Sequence, residues 1–259
     1  MRTRIGRLSR AFLSPRFPWA LLAVFALWFA AWAIRPPHPG DFVLEHVLTA
    51  LAVAALVLTR RRFRLSNLSY TLLFVFLCLH VVGAHYTYAE VPYPDWCRRV
   101  AGWFGVADFD VQKTFGFTRN HYDRLVHFSF GLLCSYPIRE VFLRVARVRG
   151  FWGYYLPLDV TMATSMLYEL LEWAVTVVFA PELGQSYLGT QGDEWDAHKD
   201  MALATLGAVI AMLVTALVNR RLQRDFAREF QDSLRVHDGD EPLGERRIAA
   251  MLREGEEAR

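Results

Sequence analysis

Between Tyr187 and Met201 the chain reads YLGTQGDEWDAHKDM, setting Asp193, Glu194, Asp196, His198 and Asp200 directly ahead of eighteen uncharged residues. Two other short runs have the same character: HYDRLVH, with Asp123 four residues before His127, and YELLEW, with Glu169 three residues before Glu172. On a helix, spacings of three and four put both members of a pair on one face, as does the step from Asp196 to Asp200. Carboxylates and imidazoles gathered this way can do three kinds of work. They can hold a divalent metal and leave a position for water, with a spare carboxylate as general base for a hydrolase or transferase. They can bind a cation or carry protons in a small transporter. They can also bind a ligand while hydrogen-bonding helices to one another.

Glu169, Glu172, Asp123, Asp196 and Asp200 are the candidates for a catalytic role. His127, Tyr168, Asp193, Trp195, His80 and His85 are the candidates for ligand contact, and His127, Asp123, Glu169 and Asp200 for a divalent metal. No HExxH motif or paired HxxxH box accompanies them. The residue types therefore leave enzyme, transporter and binding protein as alternatives.

The elements that position these residues follow from composition. Of the 259 residues 54% are apolar and 14% aromatic, and mean hydropathy is +0.18, beyond an ordinary soluble domain. Long apolar windows alternate with short charged connections, and crossing a hydrocarbon core takes roughly 20 apolar residues. The sequence predicts six spans, at about 18–34, 42–59, 68–89, 121–143, 156–180 and 199–218. In the fourth, only Leu125 to Ile138 is free of formal charge, so its polar ends need covering by neighbouring helices. The fold class is thus all-α: a polytopic helical bundle over 18–218, after a basic segment 1–17 and before a charged tail 219–259.

Arginines orient the bundle. Arg2, Arg4, Arg7, Arg10 and Arg16 precede the first span; Arg60, Arg61, Arg62 and Arg64 join the second to the third; Arg139, Arg144, Arg147 and Arg149 join the fourth to the fifth; Arg220, Arg221 and Arg224 follow the sixth. By the positive-inside rule these regions and both termini are cytoplasmic. The other connections fit the outer face, since 181–198 holds no Lys or Arg before Lys199. A net charge of +3 is explained by this edge pattern and implies no nucleic-acid partner. The first span is alternatively a signal peptide ending at Ala31-Trp32-Ala33, which would leave every later orientation unchanged.

On this topology every His except His237 lies on or near the outer side. Glu45 and His46 enter the second span there, His80 and His85 leave the third, and Asp123 and His127 begin the fourth. At 1.5 Å per residue, Glu172 lies about 12 Å and Glu169 about 16 Å below the outer end of the fifth span. Capping of helix N-termini is an adequate alternative for Asp123, Asp196 or Asp200 taken singly. It is none for Glu169 and Glu172, where the helix dipole opposes negative charge. A charged group at the span centre costs about 2.5–3.5 kcal/mol, so these acids need partners, protons or water. The expectation is a polar chamber open to the outer leaflet.

Outside the spans, Trp96, Val100, Trp103 and Phe104 recur at helical spacing in the 90–120 connection, as in a helix lying in the interface or an aromatic belt. Leu222, Phe226, Phe230 and Leu234 predict an amphipathic cytoplasmic helix. Cys78, Cys97 and Cys134 lack metal-ligand spacing.

At DRLVHFSFG, YELLEW and GTQGDEWDAHKDM the chain resembles the YjdF-like family of small bacterial inner-membrane proteins, over nearly all of 20–218. The resemblance implies a multi-pass location in the inner membrane and no mechanism. More loosely, the chain is similar to the VanZ-like family, linked to resistance against teicoplanin-type glycopeptides, whose pattern is Asp-x-x-x-His, Tyr-Glu-x-x-Gln and Asp-x-x-x-Asn ahead of glycines. Asp123 and His127 match the first element and Tyr168 and Glu169 the second, with Glu172 in place of Gln. Asp196 matches the third, with Asp200 in place of Asn, Leu203 where a Gly is common and Gly207 on the later Gly. The extra acids make this site more negative than that pattern. The partners implied are the lipid bilayer and an envelope or lipid-linked ligand; a divalent metal is the one cofactor the residues suggest, and the oligomeric state is not encoded legibly. A reporter fused after Arg149 is expected to be cytoplasmic; an extracytoplasmic signal there would overturn the orientation.

Overall fold

The computed structural model describes residues 12–106, 108–179, 190–223, 225–235 and 244–257. Among these residues the regular elements are helices: α1 (Phe17–Trp32), α2 (Pro39–Thr59), α3 (Asn67–His85), α4 (Tyr93–Trp103), α5 (Val111–Phe115), α6 (Tyr122–Arg144), α7 (Trp152–Phe179), α8 (Asp196–Leu222), α9 (Phe226–Asp232) and α10 (Glu245–Glu257). The six long helices α1, α2, α3, α6, α7 and α8 fall on the six apolar windows. Among the described residues, α2, α3 and α8 are long and apolar enough to cross a bilayer unaided. α1 is apolar over 16 residues, whereas α6 and α7 are long but carry acids and His that neighbours must cover. The chain is a polytopic helical membrane protein.

α6 is the hub, packed on α3, α7 and α8, and α3 also packs on α1 and α2. α6 and α8 approach closely because small residues meet: a Cβ on Gly131 would strike the carbonyl of Ala204, and one on Gly207 the carbonyl of Phe128. Ala204 and Ala208 are fully buried in this seam. Lipid offers no hydrophobic drive for pairing membrane helices, so this backbone proximity and the dispersion it permits must hold them. Across the α6–α7 seam, the buried hydroxyls of Ser135 and Thr161 lie 3.0 Å apart, each also bonded to a carbonyl in its own helix.

The described residues of the first three arginine-rich segments meet at one end of the bundle. The Glu140 carboxylate accepts from the Ser66 amide (2.8 Å) and the Ser69 hydroxyl (2.6 Å), capping α3 from α6. Arg60 donates to the Pro15 carbonyl, Asn67 to that of Phe12, and Arg144 to that of Arg64. α1 is an integral part of the bundle, its Trp28 indole donating to the Cys78 carbonyl of α3.

The structure differs from the sequence expectations in two places. α3 ends at His85 rather than continuing to 89, because Thr87 and Tyr88 take left-handed conformations (φ 50° and 53°) that fold Tyr88 back over Gly83. The amphipathic tail is not one helix: Gln223 is extended, and the separate α9 packs Phe226 and Phe230 edge-on against Tyr154 and Phe151 at the start of α7. Ring packing there offsets the helical bonds lost at the break. In the 90–120 connection α4 forms as expected, with Val100, Trp103 and Phe104 exposed and Trp96 turned inward against Tyr86.

Gly131→Val and Gly207→Val are each expected to destabilise the detergent-purified protein by at least about 1–3 kcal/mol, through overpacking of the α6–α8 seam. Gly40→Ala, at a position with nothing within 4 Å of the added carbon, leaves the melting temperature unchanged.

Candidate functional site

Two layers of acids occupy the outer end of the bundle, and they have different partners. In the outer layer Arg119, just ahead of α6, grips Asp196 in a two-pronged pair at 2.5 and 3.0 Å, with side chains 8% and 5% exposed. Arg124 reaches Asp193 at 2.5 Å and Asp196 at 3.3 Å, and Lys199 closes on Asp193 at 2.6 Å. Backbone bonds accompany the ion pairs: Arg119 donates to the Thr190 carbonyl, and Asn120 and Gln191 exchange amide and backbone bonds. The Trp195 amide donates to Asp193, so the aspartate also shapes the turn into α8. Hydrogen bonding from Lys199 first, then from the Trp195 amide and Arg124, holds the Asp193 carboxyl down at about 2 despite partial burial. Asp193 and Asp196 thus clamp the entrance of α8 to the entrance of α6.

The inner layer lies a turn deeper. His127 Nε2 stands 3.6 Å from Asp123 Oδ1 and 3.4 Å from Glu169 Oε1, joining α6 to α7. Asp200, one turn into α8 and 2% exposed, brings a carboxylate oxygen to the same place. One donor atom each from Asp123, His127 and Asp200 all lie within 4.8 Å of one another. Glu169 Oε1 and Asp200 Oδ1 are buried without a hydrogen-bond partner. The N-cap of α6 is His121, which makes no side-chain cap bond, and the Tyr122 amide donates to Asn120 Oδ1.

Beside this layer two tyrosines, the buried Tyr88 and the half-buried Tyr168, meet Glu45. Glu45 accepts from Tyr168 at 2.9 Å and from Tyr88 at 3.3 Å. The Tyr88 hydroxyl also lies 2.6 Å from His80 Nδ1. Both Tyr88 bonds are satisfied together when His80 carries its proton on Nδ1, which leaves its buried Nε2 without a partner. Glu172 lies one turn from Tyr168 and beside its hydroxyl.

Between α2, α3, α6 and α7 is a half-enclosed cavity of about 270 Å³. Leu48, Ala52, Phe76, Leu77, Val126 and Phe130 make its apolar body. His80, Tyr88, Asp123, His127, Ser165 and Tyr168 supply its polar lining. The one acid of this lining, Asp123, stands at the end of the bundle opposite Glu140.

Of the sequence candidates, the structure brings together Asp123, His127, Glu169 and Asp200, with Tyr168, Glu172 and His80 alongside. Asp193 and Asp196 sit in the clamp instead, engaged by cations. Trp195 is exposed and packs its ring on His198. His85 points to α1, bonding the Trp32 carbonyl at 2.7 Å. Sequence reasoning missed Arg119 and Arg124 as the clamp's cations, and Tyr88 and Ser165 as cavity residues. Glu45 was visible as a membrane acid, but its tyrosine partners were not. For Tyr88 the one readable signal was Gly83, whose missing Cβ makes room for the ring.

A family model described as a predicted membrane protein (DUF2238) matches residues 17–221, from α1 into the last turn of α8. The chain is 36% identical over 186 residues to inner membrane protein YjdF of Escherichia coli (strain K12), covering 71% of this chain and 82% of that protein. No solved structure matches.

Asp196→Ala removes the two-pronged carboxylate from the buried Arg119 guanidinium, which keeps Asp193 and the Thr190 carbonyl, and is expected to cost about 1.5–3 kcal/mol, read as a fall in melting temperature. Since the Asp193 carboxyl is depressed in the folded state, its stabilisation is complete above the ordinary aspartate pKa of about 3.9 and lost as pH falls through about 2. Stability titrated from pH 5 downward in Asp193→Asn is therefore expected to lack part of the acid-induced loss seen in the unaltered protein.

Proposed function

We propose a function for this chain as a member of the DUF2238 family of predicted membrane proteins, to which the match over residues 17–221 shows it belongs: it binds a lipid or lipid-linked envelope component entering from the outer leaflet. The apolar part of that ligand occupies the cavity between α2, α3, α6 and α7, and its polar end meets the acidic and imidazole wall. One observation carries this reading, a cavity whose surface is mainly apolar while His80, Tyr88, Asp123, His127 and Tyr168 add polar groups to its lining, a composition that suits a small-molecule site. Leu48, a lining residue, also has an exposed surface towards the lipid side, which suits lateral entry.

The name of the E. coli relative supports placement in a bacterial inner membrane. The looser VanZ-like pattern is compatible with the same reading, since Asp123, His127, Glu169 and Asp200, all on its motif positions, converge. A metal-assisted hydrolase or transferase acting on the same class of ligand is the second reading, favoured by the juxtaposition of Asp123, His127 and Asp200. Among the described residues the cytoplasmic half holds no matching acidic cluster, and Glu140 there is committed to Ser66, Ser69 and Arg144. That arrangement gives the transporter reading less support.

The test is native mass spectrometry of the full chain extracted from inner membranes in mild detergent, compared with Ala52→Phe, which fills the cavity. The unaltered protein is expected to retain an amphiphile at about one per chain, and Ala52→Phe to lower that occupancy at least about tenfold, equivalent to about 1.4 kcal/mol. Retention of bulk lipid only, or the same species at the same occupancy in a folded Ala52→Phe variant, would sink the proposal.

A further inference from the structure

We propose that Asp123, His127 and Asp200 form a binding site for one first-row divalent transition-metal ion at the polar end of the cavity, with Glu169 as the carboxylate beside it. This goes beyond the ligand-binding reading and holds whether or not the cavity takes an amphiphile.

The first support is geometric. Three donors from two helices already lie within 4.8 Å of one another. Donors bound to one ion at 2.0–2.2 Å stand roughly 3–3.5 Å apart, so small side-chain rotations close the gap. Independent support comes from Asp200. Its residue is 98% buried by surface area, taking the complement of its 2% exposure, yet its Oδ1 has no hydrogen-bond partner. Buried polar atoms are nearly always satisfied, and an orphan aimed into a cluster of donors points to something that sits there.

Charge gives a third reason. Arg119, Arg124 and Lys199 engage Asp193 and Asp196. Among the described residues no Lys or Arg forms an ion pair with Asp123, Glu169, Glu172 or Asp200; His127 pairs with Asp123 and Glu169. A carboxylate without a full cationic partner is costly inside a membrane, reaching about 2.5–3.5 kcal/mol at the span centre and falling towards the edge, and a divalent cation relieves that cost at one point.

The donor set selects the ion. One imidazole with two carboxylates suits zinc or manganese better than calcium or magnesium, which favour oxygen alone. Glu169 Oε1, 3.4 Å from His127 Nε2 and without a hydrogen-bond partner, is placed to accept a bond from water on such an ion. The outer clamp sets the register, because Arg124 adjoins Asp123 in α6 and Asp196 precedes Asp200 by one turn in α8. Supporting contacts of this kind orient metal ligands.

The experiment uses the full chain in detergent, stripped with EDTA and titrated with manganese(II), read by electron paramagnetic resonance. One ion per chain is expected, with a hyperfine coupling from an imidazole nitrogen that disappears in His127→Gln. Asp200→Asn removes an unpartnered acid, so its stripped form should melt no lower than the stripped unaltered protein, while its manganese affinity falls at least about tenfold. Zinc should raise the melting temperature of the unaltered protein, by selective binding to the folded state, and not that of Asp200→Asn. Absence of stoichiometric manganese and zinc, or a coupling that survives in His127→Gln, overturns the site, as does unchanged affinity in a folded Asp200→Asn. Should Asp200→Asn fail to fold, the nitrogen coupling in His127→Gln decides. Amphiphile retention by stripped protein is measured separately, so the two proposals fail independently.

Discussion

The close approach of α6 to α8 is the contact on which the outer site depends. Gly131 and Gly207 let each helix rest against the other's backbone, with Ala204 and Ala208 buried between them. Asp123 and His127 lie on α6 and Asp200 on α8, so the distance between the two axes decides whether their donors share one space. A larger residue in the seam would separate them before it disturbed any polar group. In lipid, where apolar surfaces gain little by meeting each other, such close packing is among the few forces able to hold this spacing.

Six of the acids at this end of the bundle fall into two populations distinguished by their partners. Asp193 and Asp196 meet Arg119, Arg124 and Lys199, and their negative charge is spent on joining two helix entrances. Asp123, Glu169, Glu172 and Asp200 lie deeper, against a wall of His and Tyr, where removing charge from water is more costly. Breaking the outer pairs would loosen the bundle, whereas neutralising an inner acid relieves a local electrostatic burden. A structural role explains the first population well and the second poorly.

The tyrosines give the inner layer its shape. Tyr88 reaches the cavity only because the chain reverses in a left-handed turn after α3, and Tyr168 reaches Glu45 across the space between α7 and α2. Together they make hydrogen-bonded contacts with Glu45 and His80 at the edge of an otherwise apolar cavity. Such an arrangement can accept an apolar chain along its walls while orienting a polar group at one end. The match over residues 17–221 spans all of these elements, so the cavity belongs to the part of the chain shared with the family.

Composition was enough to read the six long helices, because membrane insertion is governed by local hydropathy. Helical spacing was enough to pair Asp123 with His127 on one face, since an α-helix repeats every 3.6 residues. What spacing could not reveal was which acid meets which cation: Asp193, Asp196 and Asp200 look alike in GDEWDAHKD, yet the first two are clamped and the third is not. That division depends on the reach of Arg119 and Arg124 across a helix interface, a three-dimensional distance with no sequence period. Tyr88 shows the same limit, because its position follows from two left-handed residues and a glycine in the preceding turn. Sequence alone determined a membrane bundle with acids gathered at one end; tertiary structure decided their division, because pairing across helices depends on axis separation and side-chain reach.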